Sequence, residues 1–84
     1  MGNFFVYIIF SKSLNRYYVG HSTNTETRLA QHNSGISKFT ASASDWKLVW
    51  SEEFPSRNAA QQKERHIKKM KSRKYIETLI QAGK

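Results

Sequence analysis

The sequence predicts an α+β domain, a small three-stranded, mainly antiparallel sheet flanked by three helices in the order β-β-α-β-α-α. Three observations lead there. The run Phe4-Phe5-Val6-Tyr7-Ile8-Ile9-Phe10 is continuous, aromatic and β-branched, as a central strand covered on both faces requires. A polar turn from Ser11 to Asn15 separates it from Arg16-Tyr17-Tyr18-Val19, which reads as the second arm of a hairpin closed by Gly20. After Pro55 the apolar period changes to that of helices.

The remaining elements follow in order. Thr23-Asn24-Thr25-Glu26 has the spacing of a capping box, so a helix should start there and end near Gly35, where glycine suits a left-handed cap. Residues 36–45 are rich in Ser, Thr and Ala with no helical stripe, and read as an ordered loop. Trp46 to Phe54 resumes strand character around Leu48, Val49 and Trp50. Pro55 stops it, and Ser56 caps a helix running to about Met70 with Ala60, Ile67 and Met70 as its apolar positions. Ser72 caps a last helix whose stripe is Tyr75, Ile76, Leu79 and Ile80, ended by Gly83.

At 84 residues the chain predicts one domain, 1–84, with a thin core. It has no cysteine, which excludes disulfides, thiolate nucleophiles and cysteine zinc sites and fits a cytoplasmic protein. The seven-residue run from Phe4 to Phe10 is far below the roughly 20 residues that span a bilayer. It also lacks a signal peptide's flanks, so no membrane role is expected. Fourteen Lys and Arg against six Asp and Glu give a net charge of +8, a bias toward a polyanion and above all nucleic acid.

Several residues could carry chemistry. Between Arg57 and Lys74 lie Lys63, Arg65, Lys68, Lys69, Lys71, Arg73 and Lys74, a basic stripe suited to sequence-independent phosphate attraction. Glu64 is the only acid there and falls on the apolar, sheet-facing stripe. A carboxylate so placed needs a cation. That cation is either a core-edge arginine in a salt bridge or Mg²⁺, which takes one or two carboxylates with waters and phosphate oxygens. Arg28 and His32, four apart, share a helix face, where a guanidinium fork matches phosphate oxygens and an imidazole moves protons, although such a pair also occurs on solvated faces. Tyr7 and Tyr18 are phenols where phenylalanine would serve a strand equally well.

Val6-Tyr7-Ile8 followed by Tyr18-Val19-Gly20 resembles the two-part signature of the GIY-YIG nuclease family. Arg28 lies ten residues after Tyr18 and His32 fourteen after it, with Glu64 on a late helix, a succession similar to the family's catalytic set. His21 stands where many members carry a basic or polar active-site residue. The resemblance covers nearly the whole chain and is similar to the small members that comprise the nuclease domain alone. The chain departs from the pattern in three ways. It has no glycine before Tyr7, Val19 replaces isoleucine, and no supporting asparagine follows the glutamate helix.

The resemblance implies a metal-dependent endonuclease hydrolysing phosphodiester bonds, with DNA the first substrate expected and repair or recombination the setting. Glu64 would hold Mg²⁺ or Mn²⁺. Tyr7 would help deprotonate the attacking water, with Arg28 or the metal lowering its pKa. Arg28 would clamp the phosphate, and Tyr18, His21 and His32 would position it and relay protons. A protein partner could supply specificity. The alternative is a non-catalytic nucleic-acid-binding or partner-docking module on the same fold. The presence of both Glu64 and Arg28 argues against it, since neither suits a core.

Overall fold

The computed structural model of the protein describes residues 3–36, 38 and 40–82. The elements are β1 (Phe4–Ser11), β2 (Arg16–Ser22), α1 (Thr25–Asn33), β3 (Trp46–Phe54), α2 (Arg57–Met70) and α3 (Arg73–Ala82). The strands form one sheet in the order β2-β1-β3, both pairs antiparallel, so the most apolar strand is central as its composition demands. Its alternate residues serve two cores. Val6 and Ile8 join Val19, Ala60 and Ile67 beneath α2 and α3, while Tyr7 and Ile9 join Trp46 beneath α1 and the segment after it. Against Ile8 and Ile9 the partners jump from Trp50 to Leu48. Val49 is thus a bulge residue, and Val49 and Trp50 both pack toward α2 and α3.

Several local expectations change. Gly20 does not close the hairpin. β2 continues to Ser22, and Gly20 pairs with Tyr7 in mid-strand. The cap of α1 is Asn24, not Thr23. The Asn24 side chain accepts the Thr27 N–H at 3.0 Å, and the Ser22 hydroxyl oxygen accepts the Asn24 N–H at 3.0 Å. Gly35 follows the helix at φ +84°, the left-handed conformation foreseen for it. Ser56 and Ser72 cap α2 and α3 by accepting the Ala59 and Tyr75 N–H groups, each at 3.1 Å. Met70, assigned to the core, is 46% exposed. α2 ends there and turns at Lys71, and Tyr75, Ile76 and Leu79 of α3 cover that part of the core instead. Gly83 lies outside the described residues. Among those described, no helix is long and apolar enough to cross a membrane.

Trp46 fastens the face under α1. Its backbone N–H donates to Asn33 Oδ1 at 2.7 Å, its carbonyl accepts from Asn33 Nδ2 at 3.0 Å, and its indole N–H donates to the Thr40 carbonyl at 3.0 Å. One buried residue thus ties the end of α1, the following segment and β3 together, through its backbone to Asn33 and through its side chain to Thr40. Trp46→Phe keeps most of the ring but leaves the Thr40 carbonyl with only the Ala43 N–H at 3.3 Å, and loss of the shorter bond should cost about 0.5–1.5 kcal/mol. For a domain this small, thermal denaturation should register roughly 4–8 °C per kcal/mol. A melting temperature equal to wild type would show that the indole N–H contributes nothing.

Candidate functional site

The central feature is a phenol over a glycine. Tyr7 and Gly20 are register partners, and a Cβ built on Gly20 would come within 2.6 Å of the Tyr7 oxygen and 2.8 Å of its Cζ. The ring therefore lies across the space a side chain would fill. Its oxygen is hydrogen-bonded to His32 Nε2 at 2.7 Å, and His32 Nδ1 to Thr40 Oγ1 at 2.7 Å. Tyr7 is 2% exposed, and His32 and Thr40 are fully enclosed. Leu29 anchors α1 to the same core. One helical turn before His32, Arg28 is half-buried and donates to Gln31 Oε1 at 2.8 Å. The Tyr18 ring packs against His32 at 5.0 Å between centroids.

The second group reaches the same edge strand from the other face. Alternation along β2 puts Tyr17 and Val19 with α2 and α3, and His21, next in that series, meets Glu64 of α2. His21 Nδ1 bonds Glu64 Oε1, and Lys68 Nζ lies 2.7 Å from Glu64 Oε2 while standing 5.7 Å from the centre of the Tyr18 ring. Lys68 thus spans the β2 edge and joins the two groups. His21, Gln61, Glu64, Arg65 and Lys68 line a cavity of about 350 Å³ there. The Glu64 side chain is 15% exposed, and its partners are a lysine and a histidine, not the core-edge arginine that the sequence suggested. Burial pushes this carboxyl up, but Lys68 and His21 together bring it below its ordinary value, so it is ionised.

Thr40 had no signal in the sequence, being one hydroxyl in a Ser/Thr-rich stretch. The residues of the basic stripe are spread over more than one face of α2 and the α2–α3 junction. Lys68 faces β2 and with Arg65 lines the Glu64 cavity, Arg65 also lines a second depression with Gln62, His66 and Lys69, and Lys63 is half-buried. Arg73 is committed to Glu77 and to the Asn15 carbonyl and side chain, while Lys71 and Lys74 are exposed at the α2–α3 junction. An α-helix turns about 100° per residue, so neighbouring lysines cannot share one face.

Burial raises the Tyr7 phenol to about 12. The adjacent Arg28 opposes this without overcoming it, and Tyr18 and Glu64 add to it. Arg28 thus acts in the expected direction, but desolvation of the phenolate is the larger effect and the pKa stands above its ordinary value. Burial and the Arg28 charge lower His32 to about 4, so its ring is neutral near pH 7.

Two predictions follow from these contacts. Gly20 has no positive φ, so Gly20→Ala tests sterics alone. It should push the Tyr7 ring off His32 and destabilise the domain by roughly 1–3 kcal/mol, as overpacking does. A wild-type melting temperature with unaltered Tyr7 ring resonances would refute the cradle. The second concerns pH. His32 takes up its proton at about 4 when folded but at 6.5 in the unfolded chain. Its contribution is full above pH 6.5 and is lost as pH falls toward 4, by up to roughly 3 kcal/mol. Urea unfolding of wild type and His32→Gln from pH 7 to 4 should show a smaller pH slope in the variant.

The GIY-YIG catalytic domain matches residues 3–76 of this chain. A UPF0213 protein of Staphylococcus haemolyticus is 39% identical over 69 residues, covering 81% of this chain and 83% of that protein. A UPF0213 protein of Natronomonas pharaonis is 41% identical over 64 residues, 75% of this chain and 74% of the relative. The solution NMR structure of a UPF0213 protein from Bacillus halodurans superposes with a TM-score of 0.61 at 32% identity, spanning 95% of this chain and 84% of that one. GIY-YIG domains are in general nucleases that depend on a divalent metal. With this match over most of its length, the chain belongs to the GIY-YIG family.

Proposed function

We propose that the protein is a divalent-metal-dependent endonuclease that hydrolyses phosphodiester bonds at the β2 edge, with DNA, including the branched forms of repair and recombination, the first substrate to test. The observation that carries this reading is the convergence at one edge of a phenol–imidazole pair beside an arginine with a lone ionised carboxylate held by a lysine and a histidine. Binding modules do not need a buried tyrosine hydrogen-bonded to a neutral histidine.

Glu64 fits a magnesium or manganese ligand. It is ionised, it is already neutralised by outside charge, and the lysine on its Oε2 has a half-exposed side chain that can yield the place. No group of three His, Asp or Glu among the described residues forms a closed cage. Mg²⁺ uses one or two carboxylates and fills its shell with water and phosphate. When bound, such an ion polarises the scissile phosphate and offsets charge on the leaving oxygen.

The side chains do the rest. Arg28 forks onto the non-bridging oxygens as negative charge grows there. Tyr18 and His21 border the phosphate position, and Lys68, released from Glu64, adds a backbone contact. Tyr7 keeps its proton at rest and His32 stays neutral, since burial disfavours both phenolate and imidazolium. The phenol therefore accepts the water proton only as it passes its own to His32, without a free phenolate.

The test is cleavage of labelled branched, duplex and single-stranded DNA, with RNA counterparts, in Mg²⁺, Mn²⁺ or EDTA. Glu64→Gln should abolish cutting yet retain binding in metal-free buffer. The Lys68 side chain is half-exposed and that of His21 partly so, and solvent screens both contacts, so the variant's stability should fall by about 1 kcal/mol or less. Arg28→Lys should bind but cut about 10²-fold more slowly, because a point charge cannot replace the fork. Cutting by Glu64→Gln at the wild-type rate, or undiminished cutting in EDTA, would overturn the reading.

A further inference from the structure

Among the described residues between α1 and β3, Thr40 alone is fully enclosed. Its carbonyl is held by the Trp46 indole at 3.0 Å, and its hydroxyl oxygen lies 2.7 Å from His32 Nδ1. A neutral imidazole carries one proton, on Nδ1 or on Nε2, and the partner of one nitrogen decides the state of the other. Were the proton on Nε2, it would point at the Tyr7 oxygen, and the phenol's own proton would have to turn away from His32. The charged group on that side is the Arg28 guanidinium, which has donors and no acceptor. With the proton on Nδ1, the phenol donates to Nε2 and turns its oxygen lone pairs toward Arg28, so each contact is complementary.

We infer that Thr40 is a positioning residue whose hydroxyl oxygen accepts the Nδ1 proton and so fixes His32 as the tautomer with its Nε2 lone pair facing Tyr7. The inference rests on the nuclease reading for its kinetic consequence but not for its geometry. In the reaction, the water O–H bond breaks as a new O–H bond forms on Tyr7. The original phenol proton passes to Nε2, and the resulting hydroxide attacks phosphorus. The imidazolium so formed keeps its Nδ1–H on Thr40, and the leaving oxygen takes a proton from solvent water. Nε2 returns its proton to Tyr7 as Tyr7 releases to the solvent the proton it took from the attacking water, which restores the resting pair. Arg28, Tyr18 and Glu64 are the other charged or titratable groups acting on Tyr7, and none of them can accept its proton along this line.

Ring ¹⁵N NMR of the metal-free protein reads the tautomer directly, with His32 assigned through its contacts to the Tyr7 and Tyr18 rings. The wild type should show protonated Nδ1 and bare Nε2. Thr40→Val preserves shape and removes the acceptor. It should move His32 toward the Nε2-protonated pattern and lower kcat by about 10²-fold with KM little changed. Thr40→Ser should restore both. Protonated Nε2 in the wild type overturns the inference, as does a Thr40→Val protein that keeps the Nδ1–H pattern and the full rate. If Thr40→Val does not fold, the wild-type spectrum and Thr40→Ser carry the test. Protonated Nδ1 in a protein that cuts nothing in the substrate panel supports the Thr40 assignment while overturning the nuclease reading.

Discussion

The Tyr7 ring lies in the space left by the missing Gly20 side chain, and that contact constrains most of the molecule. It requires β1 and β2 to pair in one register, because a one-residue slip would send Tyr7 to the opposite face. It also fixes the depth at which the phenol oxygen ends, and hence where His32 and the whole of α1 must stand. The two tyrosine motifs are thus parts of one packing unit. The glycine serves there through its lack of a side chain and not through an unusual backbone.

The sheet then divides the work. One face, under α1, encloses groups whose charged forms are disfavoured, Tyr7 and His32. The other, under α2, offers ionised Glu64 with His21 and Lys68. Only an edge strand lets these two environments meet, and β2 is an edge. Lys68, bonded to Glu64 and placed near the Tyr18 ring, is the group that crosses it. An enclosed phenol–imidazole pair and an open, charged cavity thus sit side by side in a chain of 84 residues.

Much of this was legible in the sequence because it depends on local chemistry. Strand order followed from the apolar excess of Phe4 to Phe10, and the caps at Ser56 and Ser72 from hydroxyls placed before helical periods. Where two capping residues adjoin, spacing could not choose. Asn24 displaced Thr23 because its own amide is already held by Ser22. Met70 obeyed the helical period but lay at the end of α2, which periodicity does not reveal. The unusual acid Glu64 was visible, while its partners were not, since His21 comes from a distant strand. Thr40 was invisible for the same reason, as its contacts to His32 and Trp46 depend on the closed fold.

The turn between α2 and α3 has a consequence for engineering. Lys71 ends α2 at φ 48° and ψ 39°, a conformation that glycine adopts without penalty and a lysine holds at roughly 1–2 kcal/mol. Asn15, at φ 53°, lines the same groove of about 440 Å³, together with Arg16, Lys68 and Arg73. A small domain has a margin of only about 5–15 kcal/mol, so the strain at Lys71 is a sizeable share of it. Thermostabilisation by substitution therefore has an obvious first position, and there it would exchange a cation on the groove wall for a relaxed backbone.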